Sequence, residues 1–157
     1  MRFCVPMALL ATVLGCEPST PPAPYKSDAK GEPPRVRVLH VLISFRGAER
    51  AEAKVTRSQD EAEVLAKEVL DKARRGEDFQ KLIKEYSNDH GSGNYAVVNV
   101  GFPARSGDSR RETFASGFCE VAFALKVGEI GLAPFDNTMV KGKPRCPYGY
   151  HIIKRIE

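Results

Sequence analysis

Two histidines are the residues whose type and position most suggest chemistry in this chain. His40 lies within the apolar run Val-Leu-His-Val-Leu-Ile, and His151 lies within Tyr-Gly-Tyr-His-Ile-Ile near the other end of the folded body. A lone histidine in a strand usually has only a structural role. Two of them, in what we predict to be the first and last strands, are more suggestive because such strands can pair at the centre of a sheet.

Other catalytic chemistries find little support. No GxSxG elbow, HExxH motif or Gly-rich phosphate loop is present, which argues against hydrolases and nucleotide-binding enzymes. Cys119 sits beside Phe118 and Val121, where a buried, inert thiol is expected rather than a nucleophile. The four cysteines show no CxxC or Cys/His spacing of the zinc type, so we expect no metal site and no cofactor.

The elements that would position the histidines follow from the residue pattern. Ser58-Gln-Asp-Glu61 has the spacing of a capping box and begins a helix that ends at Gly76, and Asp78 begins a second, shorter helix. The remaining predicted elements are strands at 35–43, 95–100, 129–135 and 148–156, a third helix at 112–125, and a long polar excursion at 136–147. This order predicts an α+β fold in which helices cover a small, mostly antiparallel sheet.

Five segments together resemble the parvulin (PpiC, rotamase) family. They are Val-Leu-His-Val-Leu-Ile at 38–43, Ala-Arg-Arg-Gly-Glu-Asp-Phe at 73–79, Glu-Tyr-Ser-Asn-Asp at 85–89, the run from Phe-Cys-Glu to Gly-Glu-Ile at 118–130, and Tyr-Gly-Tyr-His-Ile-Ile-Lys-Arg-Ile-Glu at 148–157. Each is weak alone, but they occur in the family's order and near its spacing. The resemblance implies a four-stranded antiparallel sheet surrounded by three to four helices, and peptidyl-prolyl cis/trans isomerase activity.

The resemblance also implies which residues form the site. The family's two histidines fall on His40 and His151, and its Cys or Asp after the second helix falls on Asp89. The proline-binding residues fall on Phe118, on Phe114 where Met is usual, on Val100 where Leu is usual, and on Tyr148 where Ser or Thr is more common. Because no bond is broken when an X–Pro bond rotates, the polar residues are expected to orient a hydrogen-bond network and not to act as acid and base.

Three departures from the family pattern bear on activity and substrate choice. The usual Gly-Gly-Asp-Leu-Gly is Val-Val-Asn-Val-Gly at 97–101, Phe118-Cys119 stands where Phe-Glu is common, and the excursion at 136–147 is longer than expected. The altered segment at 97–101 leaves an alternative open. The alternative function is a non-catalytic, chaperone-like module that binds peptides on the same fold. In either case the expected partner is an unfolded or proline-containing polypeptide, and the oligomeric state is not indicated.

The N-terminus is predicted to be a targeting segment. Arg2 precedes an apolar run of signal-peptide length, too short to span a bilayer, and Val13-Leu14-Gly15-Cys16 resembles the lipobox of bacterial lipoproteins. We therefore expect a signal peptide at 1–15, a lipidated Cys16 that opens a Pro-rich tether to residue 34, and the isomerase domain at 35–157. The alternative is an ordinary signal peptide. With lipidation, the protein is expected at the periplasmic face of the inner or outer membrane of a bacterial envelope.

Charge and the remaining cysteines bear on two further properties, nucleic-acid binding and disulfide formation. The net charge of +4 is mild, and the Lys and Arg residues are interspersed with acids, so nucleic-acid binding is not expected. Cys119 and Cys146 could form a disulfide in an oxidising compartment, although their spacing does not show that they meet.

Overall fold

The computed structural model describes residues 31–157. The predicted signal peptide, the lipidated Cys16 and most of the Pro-rich tether lie outside the described residues, so these assignments and the domain boundaries that depend on them stay predictions.

The domain is built on one central sheet of five strands in the order β3-β2-β1-β7-β4. In chain order, the elements are β1 (Arg35–Ile43), α1 (Gln59–Arg74), α2 (Phe79–Tyr86), β2 (Asn94–Val98), β3 (Ser109–Arg110), a 3₁₀ turn (Arg111–Thr113), α3 (Ser116–Ala124), β4 (Ile130–Ala133), β5 (Asp136–Val140), β6 (Lys143–Cys146) and β7 (Tyr150–Arg155). The predicted α+β class is confirmed.

The central position of β1 follows from its sequence. Most of its residues are buried, since it is covered on both faces and paired along both edges, by β2 and by β7, both antiparallel. Val41 and Ile43 point to one face and pack against α1 and α2. Val36 and Val38 point to the other face and pack against α3. This alternation divides the interior into two apolar clusters, one on each side of the sheet.

His40 and His151 share the face that α3 covers. Leu42 pairs with His151 and His40 pairs with Ile153, so the two histidines are diagonal neighbours on adjacent strands. Phe118 of α3 packs in the cluster on this face. The prediction that the first and last strands pair at the centre of the sheet is therefore confirmed.

The loop between α2 and β2 runs along β1 beyond the residue at which β2 begins. Leu42 N–H donates to Ser87 Oγ at 3.1 Å, and Asn88 N–H donates to Leu42 O at 2.7 Å. Further along, His40 N–H donates to Gly93 O at 2.7 Å. Gly93 has a φ of +67°, and a Cβ there would lie 2.9 Å from His40 O, so only glycine fits this close approach. The loop is thereby held against β1 on both sides of Asp89.

Three details differ from the expectation. The sheet has a fifth strand, β3, which runs parallel to β2 and is too short, at two residues, to show any periodicity. The third helix begins at Ser116 rather than at residue 112, because a 3₁₀ turn precedes it. The excursion at 136–147 forms an antiparallel hairpin, β5–β6, whose tip residues Lys141 and Gly142 both have positive φ. Two such residues in succession are typical of a tight hairpin turn.

Cys119 and Cys146 are free thiols in the structure, and both are buried. Burial raises the pKa of each to about 12. Since both residues are free thiols, no disulfide joins Cys119 to Cys146 in this structure. Among the described helices, none is long and apolar enough to cross a bilayer.

Candidate functional site

A chain of hydrogen bonds joins the two predicted histidines to Asp89. His40 Nε2 lies 3.0 Å from Asp89 Oδ2, and His40 Nδ1 lies 3.5 Å from His151 Nδ1. Tyr95, on β2, donates its hydroxyl to the same oxygen of Asp89 at 2.7 Å. The structure therefore brings together the three polar residues predicted from the sequence and adds a fourth, Tyr95.

The pKa values favour a network that keeps its protons in place. The hydrogen bond from His40, reinforced by the one from Tyr95, holds the pKa of Asp89 well below its usual value, so Asp89 is an ionised acceptor. Burial, followed by the hydrogen bond to Asp89, raises the pKa of Tyr95, which keeps its proton. Burial and the neighbouring His40 lower the pKa of His151 to about 3, so His151 is neutral at ordinary pH.

These protonation states give the bond to Asp89 a direction. Because ionised Asp89 can only accept, His40 donates to it from Nε2. The Nδ1 atoms of His40 and His151 lie within hydrogen-bond distance of each other, and the tautomers of the two rings set which one donates. The Nε2 of His151 is buried and has no hydrogen-bond partner among the described residues, as fits an uncharged ring. The arrangement fixes the orientation of the His40 ring between Asp89 and His151.

Aromatic rings form an apolar wall over this network. Phe118 makes edge contacts with both His40 and His151, at centroid distances of 5.3 and 5.4 Å. Phe114 stacks on Phe118 at 5.2 Å with an interplanar angle of 12° and meets Tyr95 edge-on. Phe118 is almost fully buried, whereas Phe114 is half-buried and faces the opening.

The network and the aromatic wall line one cavity of about 320 Å³. The predicted site residues that line it are His40, Asp89, Phe114, Phe118, Tyr148 and His151. A volume of this size and a wall of this chemistry fit a small apolar ring with a few polar groups at its edge. The cavity can therefore hold a proline side chain while a short segment of polypeptide runs across its mouth.

Val100 is the one predicted binding residue that lies elsewhere. It follows the end of β2, is 53% exposed and does not line the cavity. The reason is a contact with a distant part of the chain: the N–H of Val100 donates to the side chain of Asn99, and Asn99 in turn donates to the carbonyl of Pro33. The chain therefore turns away from the cavity at this point.

Tyr95 is the site residue that the sequence did not reveal. It lies on a strand that begins only at Asn94, and its side chain points to the α3 face together with Val97. The signal was available in the alternation of the strand, since a tyrosine at an inward position needs a partner for its hydroxyl. In the structure Asp89 is that partner.

The loop between β1 and α1 contributes to the rim of the cavity. Glu49 N–H donates to Pro147 O at 3.0 Å, and the guanidinium of Arg50 lies 5.4 Å from the centre of the Tyr148 ring. These contacts join the loop to the segment just before β7. The mouth of the cavity is therefore framed by charged and aromatic side chains. Within residues 31–157, no group of three or more His, Cys, Asp or Glu side chains is placed to hold a metal ion.

Comparison with protein families gives one match over most of the chain. The family model described as the PPIC-type PPIase domain matches residues 25–157. The chain is similar to Foldase protein PrsA 1 of Lactobacillus johnsonii, with 32% identity over 87% of the chain and 35% of that relative. It is also similar to Foldase protein PrsA of Geobacillus kaustophilus, with 35% identity over 77% of the chain and 31% of that relative. The chain thus spans about a third of the length of these curated relatives.

Solved structures show the same fold. Peptidyl-prolyl isomerase ESS1 from Candida albicans superposes with a TM-score of 0.54 at 22% identity, over 79% of this chain and 63% of that one. The solution structure of TbPIN1 gives a TM-score of 0.54 at 19% identity, over 79% of this chain and 98% of that one. At these identities the comparison supports the parvulin-like fold and says nothing of individual residues.

Proposed function

Because this chain belongs to the PPIC-type PPIase family, we propose that it catalyses cis/trans isomerisation of X–Pro bonds and that the cavity above His40 binds the proline. The observation that carries the proposal is the position of Phe118, whose ring contacts both histidines while it stacks on Phe114. One aromatic residue thereby joins the apolar wall to the polar network. The family match favours catalysis over the alternative of a peptide-binding module without activity.

The chemistry required is modest. Rotation about the X–Pro bond faces a barrier of roughly 20 kcal/mol because amide resonance must be lost, and no bond breaks. A site lowers this barrier by binding the twisted amide more tightly than the planar one. Phe114 and Phe118 would hold the proline ring out of water, and a less polar surrounding favours the twisted amide, whose charge separation is smaller than that of the planar form.

The polar residues would keep the site in one arrangement. Asp89 accepts bonds from His40 and Tyr95 at the same oxygen, so both rings are fixed relative to the loop after α2. His151 supports His40 from the other side. A fixed set of dipoles beside the rotating amide stabilises its transition state without reorganising during the reaction.

A protease-coupled assay tests the proposal. In it, a short peptide with one X–Pro bond is cleaved only when that bond is trans, so the slow phase reports isomerisation. The chain should accelerate the slow phase, and Phe114→Ala should lose most of the acceleration. A chain that binds the peptide without accelerating the slow phase would favour the binding module.

We further infer that the substrates are polypeptides that fold after export, since the relatives at about a third identity carry the name foldase. Placement in the cell envelope and a lipid on Cys16 belong to this inference. They are supported by the lipobox-like Val13-Leu14-Gly15-Cys16. Mass spectrometry of the chain from a bacterial membrane fraction tests it: a diacylglyceryl adduct on Cys16, absent in Cys16→Ser, is expected, and an unmodified Cys16 would contradict it.

A further inference from the structure

A buried ion pair ties the start of the described chain to the segment beside the cavity. Arg111 Nη1 donates to Glu32 Oε2 at 2.5 Å and to Asn99 Oδ1 at 2.9 Å. Asn99 Nδ2 also donates to Glu32 Oε2, at 3.0 Å, and to the carbonyl of Pro33. The side chains of Glu32 and Arg111 are 4% and 14% exposed. Residues 32 and 33, which the sequence places in a tether, are therefore bound to the domain.

Arg111 is also the residue that attaches the 3₁₀ turn to the domain. Its guanidinium lies 4.6 Å from the centre of the Phe123 ring, and its carbonyl accepts a weak bond from the Cys119 thiol at 3.6 Å. The other two residues of the turn, Glu112 and Thr113, are exposed, and the hydroxyl of Thr113 bonds only back to Arg110. The turn has no buried residue that could anchor it through packing.

The next residue after this turn is Phe114, the outer half of the aromatic wall. The N–H of Phe114 donates to the carbonyl of Arg111 at 3.1 Å, so the backbone of Phe114 is bonded directly to the arginine of the ion pair. Thr113 and Phe114 both line the cavity. A displacement of Arg111 is therefore a displacement of the wall against which proline would pack.

From this geometry we propose that Glu32 and Arg111 are positioning residues that hold Phe114 over the proline site. This rests on the proposed isomerase function, which it extends to a contact outside the cavity. Neither residue lines the cavity, so their effect is on how well the wall is placed. We call the Glu32–Arg111 ion pair the clamp. Loss of the clamp should weaken peptide binding more than it slows the reaction of the bound peptide, because Phe114 contacts proline in both the ground state and the transition state.

The domain offers a matched control. Arg35, the first residue of β1, and Asp108, just before β3, form a second ion pair at 2.8 Å, and the carboxylate is again buried, with 1% exposure. Neither residue belongs to the 3₁₀ turn or lines the cavity. Loss of this pair should cost stability without moving Phe114.

The test compares Arg111→Met, Arg111→Lys and Glu32→Gln with Arg35→Met. KM and kcat are measured for one X–Pro peptide at a temperature where thermal unfolding shows every variant to be folded, and the ring resonances of Phe114 are followed by NMR. We expect KM to rise about tenfold in Arg111→Met, with kcat within about twofold, as a small misplacement of a binding group would give. Arg111→Lys, which keeps the charge, should recover part of the affinity. Arg35→Met should leave KM and the Phe114 resonances unchanged.

The outcomes distinguish a positioning role of the clamp from a purely stabilising one. An unchanged KM and unchanged Phe114 resonances in Arg111→Met would overturn the proposal and leave the clamp a purely stabilising contact. If Arg111→Met does not fold, Glu32→Gln carries the same comparison. If the wild-type chain shows no isomerase activity, the proposed function fails, while peptide affinity and the Phe114 resonances still decide whether the clamp positions the wall.

Discussion

His40 and His151, 111 residues apart in the chain, present their Nδ1 atoms to each other at 3.5 Å on adjacent strands. The other ring nitrogen of His40, Nε2, lies 3.0 Å from Asp89 Oδ2, so His40 links His151 to the loop after α2. We expect this pair to hold the polar side of the cavity in place, and substitutions in the network test that role.

Asp89→Asn should lower kcat/KM about 10- to 100-fold, because hydrogen bonds to a charged group, worth about 1.5–3 kcal/mol, are weakened. An amide at this position can still receive a bond, but it no longer attracts the Nε2–H of His40 and the hydroxyl of Tyr95 as strongly. The protease-coupled assay measures the loss, with thermal unfolding as the control for folding. Activity equal to that of the wild type would remove Asp89 from the site.

Phe114→Ala should raise KM by roughly 10- to 100-fold, because an apolar contact worth about 1.5–3 kcal/mol is lost from the wall. Since Phe114 is half-buried, the free energy of unfolding should fall by only about 1 kcal/mol. Urea unfolding and peptide titration separate the two effects. A variant that loses stability but binds peptide normally would show that Phe114 does not contact proline.

Gly91→Ala should impair activity with little effect on stability. A Cβ at residue 91 would lie 2.0 Å from the hydroxyl of Tyr95 and 3.1 Å from Asp89 Oδ2, and the hydroxyl is the end of a side chain that can swing away. The swing breaks the bond from Tyr95 to Asp89. Activity assays on Gly91→Ala, Tyr95→Phe and the double variant check this: Gly91→Ala should add little to Tyr95→Phe. Additive losses would mean that the methyl group acts elsewhere.

The buried, neutral His151 should make the fold less stable as the pH falls below about 6.5, the value for an unfolded histidine. Its pKa in the folded chain is lowered to about 3, so between these values the unfolded state binds the proton and the folded state does not. This group therefore contributes a loss of about 1.4 kcal/mol per pH unit. Urea unfolding from pH 7 to pH 4 should show that the wild type loses stability faster than His151→Asn. Parallel pH dependences would show that His151 is not buried in its neutral form.

The two body cysteines should resist thiol reagents in the folded protein. Both are buried, and burial raises the pKa of each thiol to about 12, so the reactive thiolate is scarce. In a chain with Cys4→Ser and Cys16→Ser, an aromatic disulfide reagent should label Cys119 and Cys146 only as fast as the protein unfolds. Rapid labelling under native conditions would show that this part of the interior is open.

What could be predicted from the sequence depended on how local the determining contacts were. The strand that carries His40 and the helix that Ser58 caps are specified by nearby residues, and the capping box of Ser58 and Glu61 forms as predicted. That His40 and His151 lie close together required only that the first and last strands pair. Asp89 came from the family resemblance, and its position depends on the bonds that hold the loop after α2 against β1.

The remaining features depend on contacts between distant residues. Val100 lies outside the cavity because the side chain of Asn99 bonds to Pro33, 66 residues earlier in the chain. The β5–β6 hairpin is formed mainly by exposed residues with little alternation, and only its Lys141-Gly142 tip hinted at a turn. Tyr95 entered the site through a hydroxyl whose partner lies on another element. The alternation of β2 turns Tyr95 inward, but no periodic signal in the chain identifies the partner of its hydroxyl or predicts the other two features.

In the proposed mechanism, the network of His40 and Asp89 supports catalysis of X–Pro isomerisation in the cavity beside Phe118. Exchange NMR on a proline-containing peptide, with the chain at a small fraction of the peptide concentration, measures this without a coupling protease. Cis–trans exchange should be fast with the wild type and should fall close to the uncatalysed rate with the His40→Ala/Asp89→Ala double variant, although that variant remains folded. Equal exchange rates with both proteins would show that His40 and Asp89 do not support catalysis.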